Sequence, residues 1–401
     1  MPLYSYKAMT DKGVLKEGSE SADTLTDMTS RLRQRHLFPV SIEEVITGTD
    51  ITMLPLFGRV RAKQLSIYCR QFAAMLTSGV TIVNCLDILR QQTQNRRLRG
   101  VTGELYEDVQ KGLTFSESLK KHRDVFPKLM IQMIEAGESS GSLDTVISRV
   151  ALHYEKENRI NSRIKSAMIY PAVLAVICVV VVIFLLTNIM PTFIGMFQSS
   201  GVAIPGPTRF LLAISNALQH YWYIFLLIII AVVFLFRRYA ASRKGRLKLD
   251  ELKLRLPIIK GLVQKTASAR FTRTMATLLA SGIPLLQAME NTAGAVGNAA
   301  IEEVILAARE DVRKGTELSV PIRRAGCFPP MVHSMIEIGE ESGTLEDIME
   351  KTANIYDEEV DMEVQRLLAL MEPLMILVMA IIVGFIVISM MLPMFGMLQT
   401  I

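Results

Sequence analysis

The sequence predicts an all-α membrane protein with two homologous cytoplasmic helical-bundle domains, three transmembrane helices and a small N-terminal α+β module. Three observations lead there. Charged residues vanish from three long apolar stretches, a long segment recurs along the chain, and strand-like alternation is confined to the N-terminal residues. Half of the residues are hydrophobic while aromatics make up only 7%, so the excess is aliphatic and Met-rich, as membrane helices joined to soluble ones require.

Residues 1–46 form the small module. Leu3-Tyr-Ser-Tyr-Lys-Ala8 alternates, Gly13 and Gly18 bracket a short Val-Leu segment, Thr24 to Arg35 has helical spacing, and Phe38-Pro-Val-Ser-Ile42 returns as a strand. Residues 47–61, broken by Gly48, Pro55 and Gly58, read as a linker. Residues 62–166 form a first helical bundle, copy 1. Leu65, Tyr68, Phe72, Met75 and Leu76 recur at helical steps up to Gly79, and Ile82, Leu86 and Leu89 continue the pattern. Gly112 is placed to end a helix and Thr114 to start the next. Val146, Val150 and Tyr154 stripe a long helix that runs through Ile160 and Ile164 into the first span.

The spans are expected at residues 167–193, 211–236 and 372–395, separated by an external loop at 194–210, a cytoplasmic connector at 237–264 and a second bundle, copy 2, at 265–371; residues 396–401 form an external tail. About 20 apolar residues cross a hydrocarbon layer of roughly 30 Å at about 1.5 Å per residue, and each stretch is long enough. Arg159, Arg163 and Lys165 precede the first span, and Arg237, Arg238, Arg243, Lys244, Arg246 and Lys248 follow the second. The segment Pro191 to Tyr221 carries only Arg209 and His220. This asymmetry puts both bundles and the polar N-terminus in the cytoplasm and the C-terminus outside. No Asp, Glu, Lys or Arg lies between Pro373 and the C-terminus or within the other two spans, which weighs against the alternative of a membrane transporter component.

The duplication is explicit. Arg70-Gln-Phe-Ala-Ala-Met-Leu-Thr-Ser-Gly79 aligns with Arg273-Thr-Met-Ala-Thr-Leu-Leu-Ala-Ser-Gly282, and Val109-Gln-Lys-Gly112 with Val312-Arg-Lys-Gly315. Phe126-Pro127 aligns with Phe328-Pro329, and Met133-Ile-Glu-Ala-Gly-Glu-Ser-Ser-Gly-Ser-Leu143 with Met335-Ile-Glu-Ile-Gly-Glu-Glu-Ser-Gly-Thr-Leu345. Pro171 corresponds to Pro373, and Pro191-Thr-Phe193 to Pro393-Met-Phe395.

Chemistry is sparse. There is no GxxxxGK[ST] phosphate loop, no HExxH and no GxSxG, and the five histidines show no metal-ligand spacing, so no enzyme, cofactor or metal is predicted. Cys69, Cys85, Cys178 and Cys327 form no CxxC pair and are expected as reduced thiols. The sharpest constellation is Glu135, Glu138 and Asp144, repeated as Glu337, Glu340 and Glu346. Carboxylates three apart share a helix face and offer an acidic docking edge to a basic partner or a weak cation site, though one copy shows too few oxygen ligands for a divalent ion; a plain helix-to-helix turn is the remaining reading. Gly79, Gly137, Gly141, Gly282, Gly339 and Gly343 are expected at turns or close approaches. Arg70 and Arg273, each in an apolar-striped helix, either pair within their bundle or face a partner.

These paired motifs, with the opening Tyr4-Ser-Tyr-Lys-Ala8 and Tyr170-Pro171 beside the first span, resemble the type II secretion system F family across nearly the whole chain. Glu372-Pro373 replaces Tyr-Pro in copy 2. The resemblance implies an oligomeric platform in a bacterial inner membrane that is not itself an ATPase. It implies as partners a cytoplasmic hexameric assembly ATPase, pilins or pseudopilins, other inner-membrane machine subunits, membrane lipid and further copies of itself, with no nucleic acid. Such a platform helps to move subunits from the bilayer into a growing filament, of a type IV pilus or of a type II secretion machine.

Overall fold

The computed structural model describes residues 3–10, 15–21, 29, 32, 37–45, 60, 62–193 and 205–398. At the N-terminus, β1 (Leu3–Thr10), β2 (Leu15–Ser21) and β3 (Leu37–Val45) form an antiparallel sheet in the order β2-β1-β3. Pro39 lies on an edge strand, where a missing N–H is tolerated, and the register slips beside it: Lys7 faces Ser41 but Ala8 faces Pro39. Of the helix expected at Thr24 to Arg35, Thr29 and Leu32 are helical; its other residues, and residues 47–59 of the linker, lie outside the described residues.

Copy 1 comprises α1 (Ala62–Thr77), α2 (Ile82–Gln92), α3 (Arg96–Gln110), α4 (Phe115–Lys120), α5 (Lys128–Ser140) and α6 (Leu143–Ala167). Local chemistry fixes these ends. Thr81 and Asn95 accept from Asn84 and Leu98 backbone N–H groups to start α2 and α3, and Thr114 forms a capping box with Glu117 on α4. Ser142 stands at the start of α6 without a side-chain cap bond. The apolar stripes meet in one core, where Tyr68, Phe72, Phe115 and Phe126 are buried and in mutual ring contact. Tyr154 and Ile160 are buried as the striping predicts, and Met75, Leu76 and Ile164 pack on the core's edge.

From Met168 the chain turns into α7 (Ile169–Phe184), with Pro171 in its first turn, then a π-helical turn (Leu185–Ile189) and a last helical stretch to Phe193. α8 (Gly206–Ala241) begins within the stretch expected as external loop and bends at Tyr221 (φ −121°, ψ 24°). Its first half packs on the far ends of the other spans: Leu186, Met190, Leu211, Ile386 and Met390 are buried together. There Ser215 Oγ donates to the Leu186 carbonyl at 2.6 Å and Gln219 Nε2 to that of Thr187 at 2.8 Å. These bonds serve carbonyls at the π-turn, where the regular ladder shifts.

α9 (Arg243–Arg255), capped by Ser242, leads into copy 2: α10 (Pro257–Ala280), α11 (Leu285–Ala295), α12 (Ala299–Arg313), α13 (Ser319–Ala325), α14 (Pro330–Ser342) and α15 (Leu345–Leu398). The elements repeat one for one. α1 packs along α6 as α10 packs along α15. In copy 2 the core keeps Phe271 and Phe328 in contact while Met275 and Leu318 replace two copy 1 aromatics. Tyr356 is buried like its counterpart Tyr154, whereas Ile355 is 40% exposed. Three helical stretches, Leu143–Phe193, Gly206–Ala241 and Leu345–Leu392, are long and apolar enough to cross a membrane, and most of their apolar side chains point outward.

The copies also touch each other. α6 of copy 1 lies against α10 and α15 of copy 2, with Lys156 Nζ 3.7 Å from Asp357 Oδ2 and Arg163 paired with Asp361.

Candidate functional site

The repeated acidic motif builds the same clamp in both copies. On α5, the Glu138 carboxylate accepts from the backbone N–H groups of Phe115 at 2.7 Å and Ser116 at 2.9 Å, closing the N-terminus of α4. One turn earlier, Glu135 accepts from Lys120 Nζ at 2.6 Å, near the other end of that short helix. Copy 2 repeats the arrangement. Glu340 accepts from Leu318 and Ser319 N–H at 2.5 and 2.9 Å, and Glu337 pairs with Arg323. A helix of six or seven residues cannot hold itself together, and its free N–H groups are good anion donors. Two carboxylates three apart therefore hold it at both ends, which gives each glutamate a task inside its bundle.

The glycines of the motif do separate work. Gly141 (φ 69°) and Gly343 (φ 68°) end α5 and α14 in the left-handed region, as Gly79 and Gly282 do after α1 and α10. Gly137 and Gly339 are helical and mark close approach instead. A Cβ on Gly137 would stand 2.9 Å from Val146 Cβ, and one on Gly339 3.0 Å from Leu345 Cα. Asp144 and Glu346 are different again: both are exposed in the first turns of α6 and α15, and their carboxylates have no partner among the described residues.

The two arginines diverge. Arg273 is buried and its guanidinium donates to Asn354 Oδ1 at 2.8 Å and Asp357 Oδ2 at 2.7 Å. Beside it lies His153 of copy 1, 6% exposed, with burial and the nearby Arg273 charge pushing its pKa down to about 4. Arg270 donates to Asn161 across the same seam at 2.8 Å. Arg70, the copy 1 counterpart, is exposed and has no ion pair among the described residues.

Sequence reasoning missed Lys120, Arg323, His153 and Asp357. The first two were findable, since a basic residue recurs at the same point of the repeat. Asp357 aligns with Glu155 in the same way, but nothing in the sequence says that only one of the two is enclosed. All four cysteines are unpaired, and no group of three His, Cys, Asp or Glu side chains with metal-binding geometry occurs among the described residues.

Comparison with known proteins accounts for the duplication. The family model for type II secretion system protein F matches twice, at residues 68–191 and 271–393, and the model for that protein's N-terminal domain matches residues 1–43. The type IV pilus assembly protein PilC of Thermus thermophilus is 41% identical over 403 residues, covering 100% of this chain and 99% of its own. PilC of Myxococcus xanthus is 35% identical, with 98% and 94% covered. The type II secretion system protein F of Vibrio cholerae is 33% identical, with 98% of each chain covered. Two matched repeats, a matched N-terminal module and end-to-end similarity agree: the chain belongs to the type II secretion system protein F family.

Proposed function

We propose that the chain is a multi-pass platform of a bacterial inner membrane, coupling a cytoplasmic assembly ATPase to the insertion of pilin or pseudopilin subunits into a growing filament. The observation that carries this reading is the full-length similarity to proteins named for type IV pilus assembly and for type II secretion. Helices that run from each bundle into a span support it, because they give a soluble motor a mechanical path into the bilayer. The chain works as scaffold and transmitter with no catalytic step of its own. Both bundles face the cytoplasm, following the basic residues that flank the spans.

The acidic docking edge now has a narrower form. Glu138 and Glu340 hold their own bundles, so their reversal would disrupt the fold rather than report on binding. Asp144 and Glu346 are the exposed members and are the proposed contacts for a basic surface of the ATPase. Co-purification of the ATPase with the full chain tests both levels. Capture by wild type and loss of it with Asp144→Lys or Glu346→Lys, with helicity unchanged, supports the docking edge. Capture that persists in both variants removes the edge and leaves the platform. No capture by wild type removes the coupling.

A further inference from the structure

α3 and α12 begin alike, each capped by an asparagine, Asn95 in copy 1 and Asn298 in copy 2. In copy 2 the start of the helix is covered by α9. Asp250, 4% exposed, accepts from the Ala299 backbone N–H at 2.9 Å, and its carbonyl accepts from Asn298 Nδ2 at 3.3 Å. Asn298 Oδ1 takes the next two N–H groups, those of Ala300 and Ile301. The first donors of α12 thereby all have acceptors. Beneath them Arg270 lies over Gly297 and donates to the Val296 carbonyl at 3.3 Å.

Copy 1 has the socket without the plug. Asn95 Oδ1 accepts only from the Leu98 N–H, at 2.9 Å, and its Nδ2 turns to Gln64 Oε1 at 3.1 Å. The N–H groups of Arg96 and Arg97, counterparts of Ala299 and Ala300, have no acceptor among the described residues. Ile67 and Gln94 stand where copy 2 has Arg270 and Gly297, so the guanidinium that fills the floor in copy 2 is missing here. What remains is an open cleft of about 230 Å³ lined by Gln64, Ile67, Gln71, Gln92, Thr93 and Asn95.

The charges change where the plug is missing. Copy 2 has Ala299, Ala300 and Glu302 at the start of α12, and copy 1 has Arg96, Arg97 and Arg99 at the same points. Arg97 is paired with Asp124, but Arg96, Arg99 and Arg70, which precedes Gln71, carry no ion pair among the described residues. No acidic side chain lines the cleft among the described residues. Two bare N–H groups at a helix start and three guanidiniums without an acid favour a carboxylate, and the carboxamides of Gln71 and Gln92 can bond to a peptide backbone.

We propose that this cleft docks an acidic helix of another protein, which presents an aspartate or glutamate to the Arg96 and Arg97 N–H groups as α9 presents Asp250 to Ala299. α9 itself does not suit the cleft. It is already held against α12, and its six basic residues would be repelled by the arginines of copy 1. The cleft calls on neither Asp144 nor Glu346 and is independent of the acidic docking edge.

The test uses the full chain in detergent and a fluorescent peptide of residues 242–256 carrying Arg246→Glu, Lys248→Glu and Lys253→Glu, which makes the α9 sequence acidic and keeps Asp250. Fluorescence anisotropy is expected to show binding, about tenfold weaker when the peptide also carries Asp250→Asn. In the full chain, Arg96→Pro removes one donor and suits the first helical position, whereas Arg96→Ala keeps the donor and removes the charge. Arg96→Pro is expected to weaken binding about tenfold beyond Arg96→Ala, with helicity the same in both. Ile67→Trp, which fills the cleft from a position 39% exposed, is expected to abolish binding. Equal affinity of the Arg96→Pro and Arg96→Ala variants, or of the two peptides, would reduce the site to a general attraction between charges and overturn it. An absence of binding to the wild-type chain would overturn it too. So would binding that appears only with Asp50→Asn, because the chain's own linker would then be the occupant.

Discussion

Copy 1 and copy 2 place an arginine at the same point of their first helix, and only one of the two is enclosed. Arg273 sits under copy 1's α6 and is fixed by Asn354 and Asp357, whereas Arg70 is exposed. The clamps a few helices away are alike in both copies, down to the pair of backbone N–H groups each glutamate accepts. Duplication thus preserved what folds a bundle and freed what a bundle meets. A repeated residue is evidence about the bundle only when its surroundings are repeated as well.

That contrast breaks most sharply at the arginines. Arg273→Met leaves Asp357 only its longer contact with Lys156 and is expected to destabilise copy 2 by about 3 kcal/mol, while Arg70→Met is expected to change stability by less than about 0.5 kcal/mol. Chemical denaturation of the two variants in detergent, followed by helicity, measures the difference; equal effects would mean that Arg70 is enclosed too.

Next in size is the pH response of the seam. His153 has a folded pKa near 4 against an ordinary value of about 6.5, so the unfolded chain binds the extra proton between those values. Its contribution is intact above about pH 6.5 and is lost as pH falls towards 4, by about 3 kcal/mol in total. The groups facing it are Lys156 and Glu157 on its own helix and Arg270, Arg273 and Asp357 opposite. Stability measured across that window is expected to fall in wild type and to fall less in His153→Phe. The counterpart of His153 in copy 2 is Ile355, so the response belongs to the seam and not to the repeat.

The clamps sharpen the comparison from the side of likeness. Glu138→Gln and Glu340→Gln replace a charge-assisted pair of bonds with a neutral acceptor and are each expected to cost about 1–2 kcal/mol. Hydrogen exchange is expected to accelerate at Phe115 and Ser116 in the first variant and at Leu318 and Ser319 in the second. A response in only one copy would show that the clamps are not equivalent. Of the same order is the close approach. Gly137→Ala meets a valine side chain, and Gly339→Ala meets the Leu345 backbone, which gives less readily. Both are expected to lower stability by about 1–2 kcal/mol, with Gly339→Ala the larger.

Much of this fold was legible because its signals are local and periodic. Three uncharged runs, striped helices and left-handed glycines each follow from residues within a few turns of one another. The strands of the N-terminal module could be read for the same reason, from alternation at Tyr4 and Tyr6 and return at Phe38. The purpose of Glu138 could not, because its partners lie 22 and 23 residues away and are backbone groups, which every residue type supplies. Nor could the burial of Arg273: Arg70 has almost the same sequence around it, and the difference is made by a helix from the other copy. The early start of α8 was hidden because Pro207 and Arg209 read as loop, whereas Pro within the first turn suits a helix N-terminus.

One further consequence lies in the two helices that leave the bundles. α15 runs 54 residues without interruption, about 80 Å at the usual rise, while the path from copy 1 turns at Met168 and widens into a π-turn at Leu185. Under torsion these are different machine parts, one a stiff shaft and the other a shaft with two couplings. A twist given equally to both bundles would reach the far end of the spans undiminished along α15 and partly absorbed along α6 and α7. The far ends would then turn out of step, shearing against each other where Leu186 and Met190 meet Ile386 and Met390. Uniform rotation of the bundles becomes relative displacement at the far ends of the spans, which is the form of motion that can loosen a neighbouring helix from the lipid.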